Sequence, residues 1–483
     1  MKRRKMKHLT LVPLLFATML LAGCTVGPRY ARPNVPTAPV DAFKETDGWK
    51  PAQPGDRLLR GNWWEIFGDP RLNALESELT VSNQDLKAAN ARFVEARAMV
   101  HYNRAAQFPT ISTSPGIESL RDSANTPYLP ATKSTGEFVL PFDLSYELDV
   151  WGRVRRTVSA SREEAQATAG DLATVNLSLQ AELAYDYFEL RSADAQKQLL
   201  DDTVKAYRDA LQLTVNRFEG GAAPKSDVAQ AQTQLETTLV QDTDVAVQRA
   251  QFEHAIAILI GKPPAAFSLP ASPLNSTPPD ICAGLPSQLL ERRPDIAAAE
   301  RRVAEANDQI GIARAAYYPT ITLGASVGLE GDSITNWFTW PSRFWAVGPS
   351  VAETLFDGGR RRATSTAARA NYDATVANYR ESTLTAFQQV EDNLAALRIL
   401  SQEAQQQKEA TASAQESLQI FTDRYIGGAD PYLQVLTAQT IALQNERNDV
   451  DILRRRMDAS VLLIKAVGGG WTASELPKTA ELR

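Results

Sequence analysis

Phe138-Val-Leu-Pro-Phe-Asp-Leu-Ser-Tyr-Glu-Leu-Asp-Val150 alternates along its length: Phe138, Leu140, Phe142, Leu144, Tyr146, Leu148 and Val150 are apolar, with Asp143, Ser145, Glu147 and Asp149 between them. A period of two puts every second side chain on one side of a strand, so this segment predicts a sheet with one greasy and one polar face. Three other stretches read the same way: Thr110 to Leu120, Thr320 to Leu329 with Ile321, Leu323, Ala325, Val327 and Leu329 on one face, and Arg343 to about Phe356. At about ten residues each, they have the length of tilted strands crossing a bilayer. Loops at 121–135 and 331–342 join them into two hairpins, and Trp337, Phe338, Trp340, Phe344 and Trp345 in and after the second loop suit a membrane interface. Two soluble hairpins packed on a core would share the pattern, so the surrounding sequence has to decide.

That surrounding sequence is helical on an unusual scale. From Arg360 to Ile426 there is neither Gly nor Pro, and from Arg153 to Glu219 only Gly170 interrupts. Such helices extend about 100 Å. Small or apolar residues recur at spacings of four and three, as in Ala363, Ala367, Ala370, Ala374 and Ala377, and in Leu177, Ala181, Ala184 and Phe188. This is coiled-coil spacing, and alanine lets helices approach closely. Further helices are predicted over about 84–106, 225–260, 294–317 and 432–467.

The two halves repeat. Arg217-Phe-Glu-Gly220-Gly221-Ala-Ala-Pro224 matches Arg424-Tyr-Ile-Gly427-Gly428-Ala-Asp-Pro431, and Arg104-Ala-Ala-Gln-Phe-Pro-Thr-Ile111 matches Arg314-Ala-Ala-Tyr-Tyr-Pro-Thr-Ile321. Each half is therefore a short helix, a β-hairpin and a long helical hairpin turned at Gly-Gly-x-x-Pro, with Gly as the C-cap and Pro in the first turn of the next helix. The division predicted is 1–23 leader, 24–80 N-terminal segment, 81–261 first repeat with its β-hairpin at 109–151, 262–293 Pro-rich connection, 294–467 second repeat with its β-hairpin at 319–357, and 468–483 tail.

Unpaired strand edges in hydrocarbon cost several kcal/mol per polar group, so a lipid-exposed sheet must close. Four strands are too few, since about eight is the usual lower limit. Several chains must share one barrel: two would supply eight strands around an interior filled by side chains, three twelve strands and room for a lumen, and the polar face favours a wet lumen.

Met1 to Lys7 carries five basic residues, Leu9 to Leu21 is a short apolar run, and Leu21-Ala22-Gly23-Cys24 follows, the order of an export signal ending at a lipobox. Cys24 is then the acylated first residue of the exported chain, anchored in lipid. Thr25, not Asp, follows it, which points to the outer membrane. Cleavage removes five positive charges, so the net charge of −6 becomes −11. Cys282 is left as a lone thiol. An acidic chain without a basic cluster excludes nucleic acid. Three scattered histidines and two cysteines leave no metal site, and no phosphate loop or Gly-x-Ser-x-Gly elbow is present, so neither cofactor nor enzymatic activity is expected.

Cys24-Thr-Val-Gly-Pro-Arg-Tyr30, Asn62-Trp-Trp-Glu-Ile-Phe-Gly-Asp-Pro-Arg-Leu72, Leu285-Pro-Ser-Gln-Leu-Leu-Glu-Arg-Arg-Pro-Asp-Ile296 and Gly468-Gly-Gly-Trp471 together resemble the TolC-like outer membrane factors, in their acylated OprM/NodT-type efflux branch. The resemblance runs through essentially the whole exported chain. It implies a mainly helical homotrimer with a 12-stranded outer-membrane β-barrel, a periplasmic α-barrel and an equatorial domain. It also implies a periplasmic adaptor and an inner-membrane transporter of the resistance nodulation division type as partners. On this resemblance Arg217, Gly220, Gly221, Arg424, Gly427 and Gly428 are the adaptor-contacting tips. Gln434 and Thr437 stand where TolC-type relatives carry gate aspartates, so Asp423 and Arg424 become the candidate charge lock, with a solvated pair as the plain reading. The expected function is a passive exit duct for drugs or other small toxic molecules. A type I protein secretion duct and a lipid-anchored coiled-coil scaffold are the alternatives.

Overall fold

The computed structural model describes residues 25–34, 43–46, 61–121, 123, 135–279, 281 and 289–482. The leader, Cys24, Cys282 and most of the 121–135 loop lie outside the described residues. In chain order the main elements are α1 (Pro70–Ser82), α2 (Gln84–Ala105), β1 (Thr110–Thr113), β2 (Gly116–Leu120), β3 (Thr135–Glu147), α3 (Arg153–Glu219), α4 (Lys225–Leu259), α5 (Pro294–Ala315), β4 (Thr320–Gly331), β5 (Arg343–Ala352), α6 (Arg360–Ile426) and α7 (Tyr432–Ala466). Lengths recur: α3 and α6 have 67 residues each, α4 and α7 35, α2 and α5 22.

The sheet is antiparallel in the order β1/β2–β3–β4–β5, because β1 and β2 both pair with β3. The stretch read as one strand over 110–120 is broken at Ser114-Pro115, where proline has no N–H to give the ladder. The strand read over 138–150 starts earlier, at Thr135, and ends at Glu147. Its expected last residues are diverted: Val150 N–H bonds Leu148 O at 2.8 Å, and the Asp149 carboxylate accepts from Val154 N and Arg155 N to cap α3. The strand expected to reach Phe356 stops at Ala352, and Asp357 plays the same capping part for Gly359 N and Arg361 N.

Long helices need close partners. Gly170, the one glycine in α3, has Ala298 Cβ and Pro294 O about where its own Cβ would meet them, at 3.0 Å each, so the start of α5 seats on the bare backbone there. At the hairpin turns only the second glycine takes a left-handed conformation, Gly221 at φ 73° and Gly428 at φ 77°. Pro224 and Pro431 sit at the N-cap, in extended conformation, one place earlier than the first-turn position expected.

The main core lies midway along the long helices. Leu177, Ala181, Ala184, Tyr187 and Phe188 of α3 are buried with Trp63, Trp64 and Phe67, with Leu72, Leu75 and Leu79 of α1, and with Val390 and Leu394 of α6 and Val461 and Ile464 of α7. Trp63 Nε1 donates to Gln180 at 3.2 Å, and Tyr187 OH donates to Asp69 at 2.6 Å while Asp69 caps α1. The Gly468-Gly469 motif is explained by space: a Cβ on Gly468 would meet Arg292 O at 2.1 Å, and one on Gly469 would meet Leu177 at 2.3 Å.

Glu76 of α1 is fully buried, and neither carboxylate oxygen has a hydrogen-bond partner. Burial pushes its pKa up to about 9. The folded state thus holds a proton that the unfolded chain releases above its ordinary value, so stability is fullest in mild acid and falls as pH rises through the range up to about 9. Glu76→Leu is expected to stabilise the protein at neutral pH by about 3 kcal/mol and to flatten part of that slope. Denaturant melts across pH check this; an unchanged slope in the variant refutes it.

Candidate functional site

Three regions can carry function: the strand faces, the helical tips and the junction where the chain's first described residues meet the base of the sheet. Register defines the strand faces. Ile111–Leu144–Ala325–Val347 forms one cross-strand row, Thr113–Phe142–Val327–Trp345 the next, and Tyr146–Leu323–Pro349 another. Phe142, Val327, Trp345 and Val347 are exposed. On the opposite face lie Glu118 beside Glu137, Asp143 beside Ser326, Glu147 beside Thr322, and Glu330 beside Val139. Ser326 Oγ donates to Asp143 at 2.6 Å. The sheet thus has one apolar face and one face bearing five carboxylates.

The aromatics of the second hairpin divide between these faces. Trp345 follows the apolar face, Trp337 packs on Phe138 at 5.5 Å, and Phe344 lies on the polar face over Gly328, filling the space a Cβ there would take. Phe344 therefore differs from the uniform interface role expected of the group.

At the tips, the repeat hides an asymmetry. Arg217 of the first hairpin reaches the second: its Nη1 donates to Ile426 O at 3.0 Å, and its guanidinium lies 4.6 Å from the Tyr425 ring centre. Tyr425 packs edge-on against Tyr432 at 5.3 Å, both buried. The matching Arg424 stays home, donating to Asp430 of its own turn at 2.6 and 3.0 Å. The first turn has Ala223 where the second has Asp430, which is the residue difference behind this. Asp423 is exposed and accepts from Gln419, so it does not pair with Arg424. Gln434 and Thr437 are exposed on α7, Thr437 Oγ1 bonding Leu433 O. Tyr425, Tyr432 and Asp430 went unnoticed in the sequence; the Arg-to-Asp spacing of six across two glycines was the available signal.

Higher up, one guanidinium links α3 to α7. Arg454 pairs with Glu189 of α3 and with Asp451 and Asp458 of its own helix. Burial, then Glu189, pushes Asp458 up to about 8. Burial, then Glu182 and Glu189, pushes Asp186 up to about 7.

At the base of the sheet, Trp151 Nε1 donates to Pro319 O at 2.8 Å, and its ring stacks on Tyr318 at 4.7 Å. Val26 N donates to Trp151 O at 3.1 Å, and Pro28 O accepts from Arg156. Val26, two residues after Cys24, is therefore fixed at the level where helices give way to strands. Among the described residues, no cluster of His, Cys, Asp or Glu has the form of a metal site, and no helix is long and apolar enough to cross a membrane.

Residues 75–262 and 285–469 match the model of a family described as outer membrane efflux protein. The chain is 33% identical over 481 residues to a probable efflux pump outer membrane protein, SepC, of Pseudomonas putida, covering 96% of this chain and 98% of that one. It is 31% identical to the outer membrane protein OprJ of Pseudomonas aeruginosa, covering 95% and 96%. Among solved structures, the outer-membrane channel OprN superposes with a TM-score of 0.85 at 28% identity, covering 93% of this chain and all of that one.

Proposed function

The chain belongs to the outer membrane efflux protein family, and from that premise we propose that three copies form one continuous duct, a passive exit for drugs or other small toxic molecules. It is an outer-membrane channel component of an efflux system. The β-sheets of three chains join edge to edge as a 12-stranded barrel, apolar face to lipid and acidic face to the lumen, and the helices continue the wall into the periplasm. Energy enters at an inner-membrane transporter of the resistance nodulation division type, coupled through a periplasmic adaptor; this chain performs no catalysis.

One observation carries the reading. Within the chain, α3 has a groove filled by α5: Arg156 bonds Asp308 at 2.7 Å, Glu163 accepts from Arg301 at 2.9 Å, and Gly170 receives Ala298. A shift of 207 residues carries Arg156, Ala160, Glu163, Ala167 and Gly170 onto Ala363, Ala367, Ala370, Ala374 and Ala377 of α6, all exposed. The helix equivalent to α5 is α2, and Ala88, Ala91, Arg92, Ala98 and His101, which match the α5 residues Ala298, Arg301, Arg302, Asp308 and Gly311, are exposed too. α2 seats its other face on α3, where Val100 packs with Ala165 and Asn103 donates to Ser161 at 2.6 Å, so the empty groove and this open helix face satisfy each other only between copies. The open edges at β1/β2 and β5 require the same closure.

Deletion of the gene is expected to sensitise cells to a panel of drugs, with restoration by the intact chain and co-purification of an adaptor. Unchanged sensitivity across the panel would refute the efflux role. Cys24 is proposed as the lipid anchor, consistent with the docking of Val26 beside Trp151 at the sheet base. Cys24→Ala is expected to abolish incorporation of labelled palmitate; retention of label refutes it.

The tips around Arg217, Gly220, Gly221, Arg424, Gly427 and Gly428 are proposed to meet the adaptor, and the resting closure to lie among Arg217, Asp423, Arg424, Gln434 and Thr437. Arg217→Ala is expected to raise resting conductance several-fold and let antibiotics leak in, because it removes the link between hairpins. Charge reversal at Asp423 tests its share of the lock. Resting conductance unaltered by either change would exclude this closure.

A further inference from the structure

We propose that the outer end of the second β-hairpin holds a phosphorylated lipid of the outer leaflet, gripped by Arg343 with Trp340 and Trp345. Arg343 is the one basic residue within β1 to β5. It pairs with Leu329, which pairs with Leu140, so it stands on the apolar face, at the end of the sheet remote from every long helix. A lone cation in a lipid-facing row needs a counter-ion, and among the described residues Arg343 makes no ion pair. Asp332 of the same loop accepts instead from Asn336 Nδ2 at 2.7 Å, and Glu330 lies on the other face.

The loop around it is organised to keep that cation in place. Asn336 O accepts from Thr339 and Ser342, and Trp337 Nε1 donates to Leu329 O at 3.3 Å. Arg343 Nε donates to Trp340 O at 2.8 Å and its guanidinium lies over the Trp340 ring, which leaves the terminal amino groups directed to the surroundings. Trp340 is 75% exposed and Trp345 76%, although the loop's own hydrogen bonds hold its shape. Exposed indoles beside a fixed guanidinium match a lipid headgroup: the two amino groups fit a phosphate bidentately, and Trp345 and Val347 continue the surface down along the acyl chains. Charge complementarity and continuity with the lipid-facing rows thus name the occupant as a phosphorylated membrane lipid.

This inference rests on the barrel reading, and the experiment separates the two. Purified trimer is mixed with bisphosphorylated lipid A or its dephosphorylated form, and retained glycolipid is counted by native mass spectrometry. The intact chain is expected to retain the phosphorylated form, Arg343→Gln to retain about tenfold less, Arg343→Lys an intermediate amount, and Trp340→Ala less than the intact chain. Equal retention by the intact chain and Arg343→Gln, or of both glycolipids, overturns the site. In parallel, a nitroxide on Val347→Cys in a Cys282→Ser background reports whether oxygen dissolved in lipid or an aqueous nickel complex reaches this face. A water-exposed Val347 position would bring down the barrel reading and the site together. A lipid-exposed one with retention indifferent to Arg343 would remove the site alone.

Discussion

Cysteines at Ala88 and Ala377, in a Cys282→Ser background, are expected to cross-link neighbouring chains into covalent trimers on mild oxidation. The filled groove inside the chain gives the distance: Gly170 and Ala298 occupy the equivalent positions, and a Cβ on Gly170 would lie 3.0 Å from that of Ala298. With real side chains on both helices that gap opens slightly, into the range of about 3.5–4.5 Å that a disulfide requires. Because the two positions belong to the empty groove and the open face of α2, they meet between copies. A denaturing gel should show monomer, dimer and trimer without reductant, and monomer alone for either single cysteine. A ladder ending at dimer, or no ladder at all, would refute the three-chain duct.

Arginine at Ala325 and arginine at Ser326 are expected to have opposite fates, although the residues are adjacent. Ala325 lies in the row Leu144–Ala325–Val347, near the middle of β4 and on the apolar face. There Ala325→Arg should cost about 2–4 kcal/mol per chain at the bilayer midplane, incurred in every copy of the barrel. Loss of trimer assembly and of efflux is expected. Ser326 faces the other way and bonds Asp143. Ser326→Arg should assemble normally and shift the channel away from cations, since on the proposed barrel Glu118, Glu137, Asp143, Glu147 and Glu330 would give the lumen a negative field. Assembly is read by heat modifiability and ion preference by reversal potential. Equal tolerance at both positions would mean that both faces are wet.

The helices that were expected were legible almost to the residue, whereas α1 (Pro70–Ser82) was not among them. α3 and α6 run from Arg153 to Glu219 and from Arg360 to Ile426, as the near-absence of Gly and Pro predicts, because backbone breakers act locally and need no tertiary context. Strand ends were less legible. The alternation through Val150 and Phe356 continues into segments whose backbone is claimed by the capping carboxylates Asp149 and Asp357, a competition that a period-two pattern does not register. The two runs of helical spacing were legible as seams but not as to partner: Leu177, Ala181, Ala184 and Phe188 are buried in their own chain, whereas the Ala363 to Ala377 seam is open. Spacing says that a face is covered and not which molecule covers it. At the tips the glycines were evident, while the reach of Arg217 to Tyr425 depends on how two hairpins lie together, which the sequence of either one leaves open.

That reach bears on how the duct would dilate. Arg217 ties the first hairpin of a chain to its second, while Arg424 bonds Asp430 of its own turn. A ring of such subunits has three leaves, each of two coupled hairpins, rather than six independent ones. Traction applied to either hairpin would swing its companion with it, so the aperture would part along three slits, and a partner gripping one hairpin per subunit would suffice to widen the whole mouth.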